Sequence, residues 1–229
     1  RKKRSGLTLR RPKRAPWRRI LALGFPSLAA ELCSGLVMMA FNLVILRLEG
    51  DLGVAAYGVV ANLAIVAVAM FDGLAQGIQP LVSQAYGGGK EEQARQLLVW
   101  GLSAALLLAV LLAGTAALGA EPIAGLFNSQ GDPALQRMAV QGLRLYFTAM
   151  PFAGVNIVAA AYFAATERAL PAQAVALSRG FALALPAVFL LSAWLGLTGV
   201  WLAVPAAEAL TASAALAALA AKTRRAGDV

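Results

Sequence analysis

Five ionisable residues interrupt stretches of sequence that are otherwise apolar: Glu31, Asp72, Arg144, Arg179 and Glu208. At the centre of a lipid-facing helix each charge costs roughly 2.5 to 3.5 kcal/mol on insertion scales, so such residues are kept for pairing or for handling ions. Glu31 follows Pro26 by five residues. Asn42 falls about 20° from it around a helix and about 16 Å along it, which makes one polar stripe. A lone carboxylate at low dielectric readily holds a proton or a cation near neutral pH, and the alternative is a protonated carboxyl hydrogen-bonded between helices. Asn62, Asp72, Gln76 and Gln79 fall within about 100° of one another on a helical wheel and form a second polar face. With Asn156, these are the candidate substrate- or ion-binding residues. Gly73 and Gly77 have the small-xxx-small spacing that allows close helix approach, and Pro80 breaks the ladder just beyond. Arg179 and Glu208 face each other across a short turn and are expected to be a structural ion pair, because either charge alone would be expensive. Arg144 is placed to snorkel to an interface. Asn156, Tyr146 and Tyr162 add polar atoms to one helix, more often as glue between helices than as ligands. Met38 and Met39 offer adaptable apolar surface, either to a substrate or to core packing.

These residues need a bilayer around them. Sixty per cent of the chain is hydrophobic and 14% is charged, against roughly 25% charged in a soluble domain, and the mean hydropathy is +0.71. Six apolar spans are predicted, at residues 18–46, 54–83, 94–119, 136–165, 170–195 and 197–221, each long enough to cross about 30 Å. LEGDLG, GGGKEE and NSQGDP punctuate three connections. The turn at 195–199 is so short that spans five and six must form an antiparallel hairpin, while GAEPIAGLFN reads as a short interfacial helix. The fold class is an all-α integral membrane bundle of six transmembrane helices. Residues 1–17 read as a basic cytoplasmic loop, 18–221 as the membrane lobe and 222–229 as a cytoplasmic tail. No period of 20 to 50 residues recurs, which excludes a solenoid.

Ten of the 20 Lys and Arg residues precede Ile20, and Lys90, Arg95, Arg168, Lys222, Arg224 and Arg225 fall on the same side. The opposite loops hold Arg47 and Arg137, so the positive-inside rule predicts both termini in the cytoplasm. That topology, with attraction to anionic headgroups, accounts for the net charge of +9 without nucleic acid. The chain has no histidine and a single cysteine, Cys33 within an apolar span. No metal-ligand cluster, nucleophile constellation or cofactor motif is evident, so an enzyme is not expected. The chain opens at Arg1 in a basic tract and reads as part of something longer.

The run from Ala55 to Gln96, AAYGVVANLAIVAVAMFDGLAQGIQPLVSQAYGGGKEEQARQ, resembles the second helix of the carboxy-terminal lobe of MATE transporters, the multidrug and toxic compound extrusion family. Three further stretches carry the resemblance: GFPSLAAELCSGLVMMAFN (Gly24 to Asn42), YFAATERALPAQAVALSRG (Tyr162 to Gly180) and LGLTGVWLAVPAAE (Leu195 to Glu208). It covers nearly all of residues 18–221 and is most like the bacterial MepA-like branch. The resemblance implies a twelve-span exporter of the bacterial inner membrane, with this chain as its second lobe and an amino-terminal six-helix lobe as its missing partner. Organic cations or other amphipathic drugs would leave in exchange for H⁺ or Na⁺, by alternating access around a cavity between lobes. The family's first-span acid maps onto Glu31 and its Gln-rich second-span motif onto Gln76 and Gln79. Asp72 stands where many relatives have Asn, and Ala85 where an Asn usually precedes Tyr86. A lipid-linked precursor flippase on a related scaffold is the alternative, but it calls for cavity arginines where the first two spans offer acids and amides.

Overall fold

A backbone crossing lipid has to satisfy its own hydrogen bonds, and a helix does so within one segment. The computed structural model describes the backbone of residues 14–227 and the side chains of residues 32–221 apart from Ser34. Among these residues every regular element is helical. Five stretches are long and apolar enough to cross a bilayer: Gly35–Gly87, Glu91–Leu118, Pro133–Ala165, Ala169–Leu195 and Leu197–Ala221. The first of them makes two crossings. Its helical run, Arg14–Gly87, breaks at Gly50, where φ is 64° and ψ is −155°, and there the chain doubles back. Phe41 and Tyr57 would lie about 24 Å apart in a straight helix, yet their rings stack with centroids 5.7 Å apart.

The six crossings are α1 (14–49), α2 (51–87), α3 (Glu91–Leu118), α5 (Pro133–Ala165), α6 (Ala169–Leu195) and α7 (Leu197–Gly227), with the short α4 (Ala120–Phe127) between α3 and α5. This is the expected six-helix bundle, with one correction to its connections. LEGDLG is not an open loop, because only Gly50 leaves the helical region and the residues on either side continue their helices. Of the segment read as a basic loop, residues 1–13 lie outside the described residues, and α1 already begins at Arg14. At the other end α7 continues to Gly227 through the segment read as a tail, whose last two residues are outside the described part.

Local chemistry sets the remaining boundaries. The Asp132 carboxylate accepts from the backbone N–H groups of Ala134 (2.7 Å) and Leu135 (3.1 Å) and so caps α5, whose first residue is Pro133. Asn128 closes the preceding turn by donating to the Asp132 carbonyl at 2.8 Å and accepting from its N–H at 2.9 Å. The GAEPIAGLFN segment forms α4, with Leu126 and Phe127 exposed in the way an interfacial helix requires. Inside α6, Ser178–Ala182 is a π-helical turn, closed by the Leu183 N–H donating to Ser178 O at 3.0 Å. Pro186 explains it. Its ring removes the donor that Ala182 O would need and crowds that carbonyl, so the ladder widens just before the proline. The α6–α7 hairpin turns at Gly196, where φ is 57°, and is so tight that a Cβ on Gly199 would collide with the Leu191 carbonyl.

Lipid tails are as apolar as leucine, so these helices associate through close packing. α3 buries Ala94, Leu98, Gly101, Ala105, Ala109 and Ala116, a row of mostly small residues. A Cβ on Gly142 would lie 2.8 Å from Val60 Cγ2, and one on Gly154 would lie 2.9 Å from Phe71 Cε1. Gly73 and Gly77, expected to bring helices together, would carry a Cβ with no neighbour within 4 Å among the described residues. They face away from this bundle. The core centres on Phe41, Tyr57 and Trp201, the last two with ring centroids 6.3 Å apart.

Candidate functional site

Among the described residues nothing covers one side of α2, and its polar residues stay exposed. Asn62, Asp72, Gln76 and Gln79 are all exposed, on the same helix as the exposed Gly73 and Gly77. The Asn62 amide donates to Gly58 O at 2.8 Å and the half-buried Asn42 amide to Met38 O at 2.9 Å. Each asparagine therefore ties its N–H₂ to its own helix, and its carbonyl oxygen takes up no donor among the described residues. Two amide oxygens and the Asp72 carboxylate offer acceptors of the kind that suit a hard cation or an ammonium group. Met38, Met39 and Met70 are half exposed on α1 and α2 and supply adaptable apolar surface. The backbone of Glu31 lies in α1, but its side chain is outside the described residues.

Asn156 does not join that face. It is wholly buried, and its Nδ2 donates to Glu208 Oε2 at 2.7 Å and to the Glu208 carbonyl at 2.9 Å. From the other side Arg179 grips the same carboxylate, with Nη2 to Oε1 at 2.8 Å and Nε to Oε1 and Oε2 at 3.0 and 3.2 Å. One carboxylate thus joins α5, α6 and α7. Glu208 sits one turn after Pro205, and Arg179 lies within the π-helical turn. Neither the turn nor the Asn156 contact was foreseen from the sequence, although the spacing of Pro186 from Arg179 carries a signal for the first. Arg144 is exposed and reaches Glu121 of α4 at 3.4 Å, so it stays at the edge of the bundle. Among the described residues no three His, Cys, Asp or Glu side chains gather as metal ligands would.

The architecture and its sequence agree with one family. The MatE family model matches residues 26–190. The chain belongs to the MatE family. Among curated relatives, the multidrug export protein MepA of Staphylococcus aureus (strain bovine RF122 / ET3-1) is 24% identical over 210 residues, covering 92% of this chain and 46% of that protein. MepA of Staphylococcus haemolyticus is 25% identical over 206 residues, covering 90% and 44%. A solved inward-facing multidrug resistance MATE family transporter of the MOP superfamily superposes with a TM-score of 0.86 at 19% identity, over 95% of this chain and 50% of that one. An outward-facing MATE transporter gives 0.81 at 20% identity, over 96% and 49%. The chain spans about half the length of the MatE relatives it matches. Ala85, just before Tyr86, is buried in the core.

Proposed function

We propose that this chain is the carboxy-terminal lobe of a multidrug exporter that expels cationic or amphipathic small molecules in exchange for H⁺ or Na⁺. The observation that carries the reading is the uncovered polar face of α2, on a lobe about half the size of its relatives. A helix face bearing Asp72 and two glutamines is expensive against lipid, and a second six-helix lobe laid across it would enclose it in a cavity. Lobes with this fold occur in both an inward-facing and an outward-facing transporter, which supports rocking of whole lobes over internal rearrangement. Glu31 and Asp72 would bind the coupling ion and the cationic drug in turn, because one negative charge favours either positive ligand but not both together. The face carries an acid and amides rather than arginines, which favours cations over an anionic lipid precursor. By the distribution of Lys and Arg, both ends of the chain lie in the cytoplasm of a bacterial inner-membrane protein.

The test is efflux from proteoliposomes by the protein expressed from its whole reading frame, under proton and sodium gradients imposed separately. Dependence on one gradient is expected, and dependence on neither overturns antiport. Glu31→Gln should lower efflux while the protein still folds. Asp72→Asn should weaken binding of a fluorescent organic cation about tenfold, the loss expected when a charge-assisted hydrogen bond becomes a neutral one. A neutral amphipathic dye should bind as before.

A further inference from the structure

A groove of about 430 Å³ opens where α3 begins and is lined from α3, α5 and α7, sharing no residue with the polar face of α2. Its mouth holds Glu91, Glu92 and Arg95 of α3 beside Tyr162 of α5, and Tyr162 is within electrostatic reach of both Glu91 and Arg95. Its floor is apolar, with Leu98 and Leu102 of α3 facing Leu219 of α7. From Glu91 to Leu102 the helix rises about 16 Å, so the groove runs from the end of a membrane crossing down into it. Acids in the first turn of a helix are favourable in any case, because they oppose the positive end of its dipole. That accounts for Glu91 and Glu92 alone. The positive-inside bias accounts for a guanidinium at this end, and neither rule sets both signs side by side above an apolar trough. Among the described residues neither Glu92 nor Arg95 is in an ion pair.

We propose that this groove binds an aminophospholipid, with the ammonium on Glu92, the phosphate on Arg95 and one acyl chain along the trough. The floor cannot choose between lipids, since an acyl chain gains little by leaving other chains for leucines. Selectivity has to come from the mouth. An ethanolamine ammonium presents three N–H donors to a carboxylate, as a lysine head does, whereas a choline has none. A phosphatidylglycerol headgroup satisfies Arg95 but brings its negative charge to Glu92.

The experiment is native mass spectrometry of the whole protein released from mixed vesicles of phosphatidylethanolamine, phosphatidylcholine and phosphatidylglycerol with matched acyl chains. Phosphatidylethanolamine should be retained at least fivefold over either of the others. Glu92→Gln should remove its advantage over phosphatidylcholine, and Arg95→Gln should lower retention of all three. Melting temperatures of both variants in detergent, within a few degrees of the parent, establish that the lobe is intact. Equal retention of the three lipids, or a preference that survives Glu92→Gln, overturns the proposal. So does displacement of bound lipid by a peptide of residues 1–13, which would make the groove a seat for the chain's own basic segment.

Discussion

Glu208 accepts from an arginine on one side and an amide on the other, and both the carboxylate and the amide are buried while the arginine side chain is one-fifth exposed. Removing one member of such a group leaves the other charge buried and unpaired, which costs about 3 to 5 kcal/mol, whereas replacing both charges by apolar residues of similar volume is often nearly neutral. Arg179→Gln and Glu208→Gln should each lower the melting temperature in detergent sharply, and Arg179→Met with Glu208→Leu should recover most of the loss. A double variant no more stable than the singles would show that the charges themselves hold the three helices. The pair was legible in the sequence because a short turn forces spans five and six together, so two costly charges had one obvious way to be satisfied. Asn156 was legible as glue between helices, but not as a partner of this carboxylate. Its sequence context is uniformly apolar, and only the packing of α5 against α7 reveals which side of its helix is inward.

At the scale of elements, glycine has two opposite uses in this lobe. Gly142 and Gly154 admit Val60 and Phe71 into contact, so a methyl group at either position overpacks the bundle, at a cost of about 1 to 3 kcal/mol. A Cβ on Gly73 or Gly77 would meet nothing within 4 Å among the described residues. Gly142→Ala and Gly154→Ala should therefore destabilise this lobe in thermal melts, while Gly73→Ala should leave its stability unchanged. A destabilised Gly73→Ala lobe would mean that its face is packed within this chain after all. The small-xxx-small spacing was plain in the sequence, but spacing names a face and not the neighbour. Similarly, LEGDLG has the look of a loop because acids and glycines cluster there, yet Leu48, Glu49, Asp51 and Leu52 are compatible with helix and only Gly50 makes the reversal.

For the whole molecule, the order and number of crossings followed from apolar length, which is the strongest constraint a bilayer imposes. Orientation follows from charge and can be checked directly. In a background with Cys33 replaced by Ser, a cysteine at Ser129 should react with a membrane-impermeant thiol reagent added to intact cells. A cysteine at Lys90 should react only after the cells are opened. The reverse pattern would invert the lobe and put the basic tract outside. The uncovered α2 face belongs to this scale too, since no pattern along one chain could have shown that its polar side stays exposed among the described residues.

The π-helical turn of α6 has a consequence for comparing this chain with its relatives. It holds one more residue per turn than an α-helix, so everything from Ala184 onward is rotated by about 100° from the position a continuous ladder would give. Deleting a residue from a membrane helix normally turns half of it to the wrong side. Within Ser178–Ala182 a deletion would instead take out the extra residue and leave both halves of α6 on their faces, with Pro186 still interrupting the ladder, making this a natural place for lineages to differ in length by one. A gap-free alignment through α6 would then match the right letters before Arg179 and the wrong faces after it.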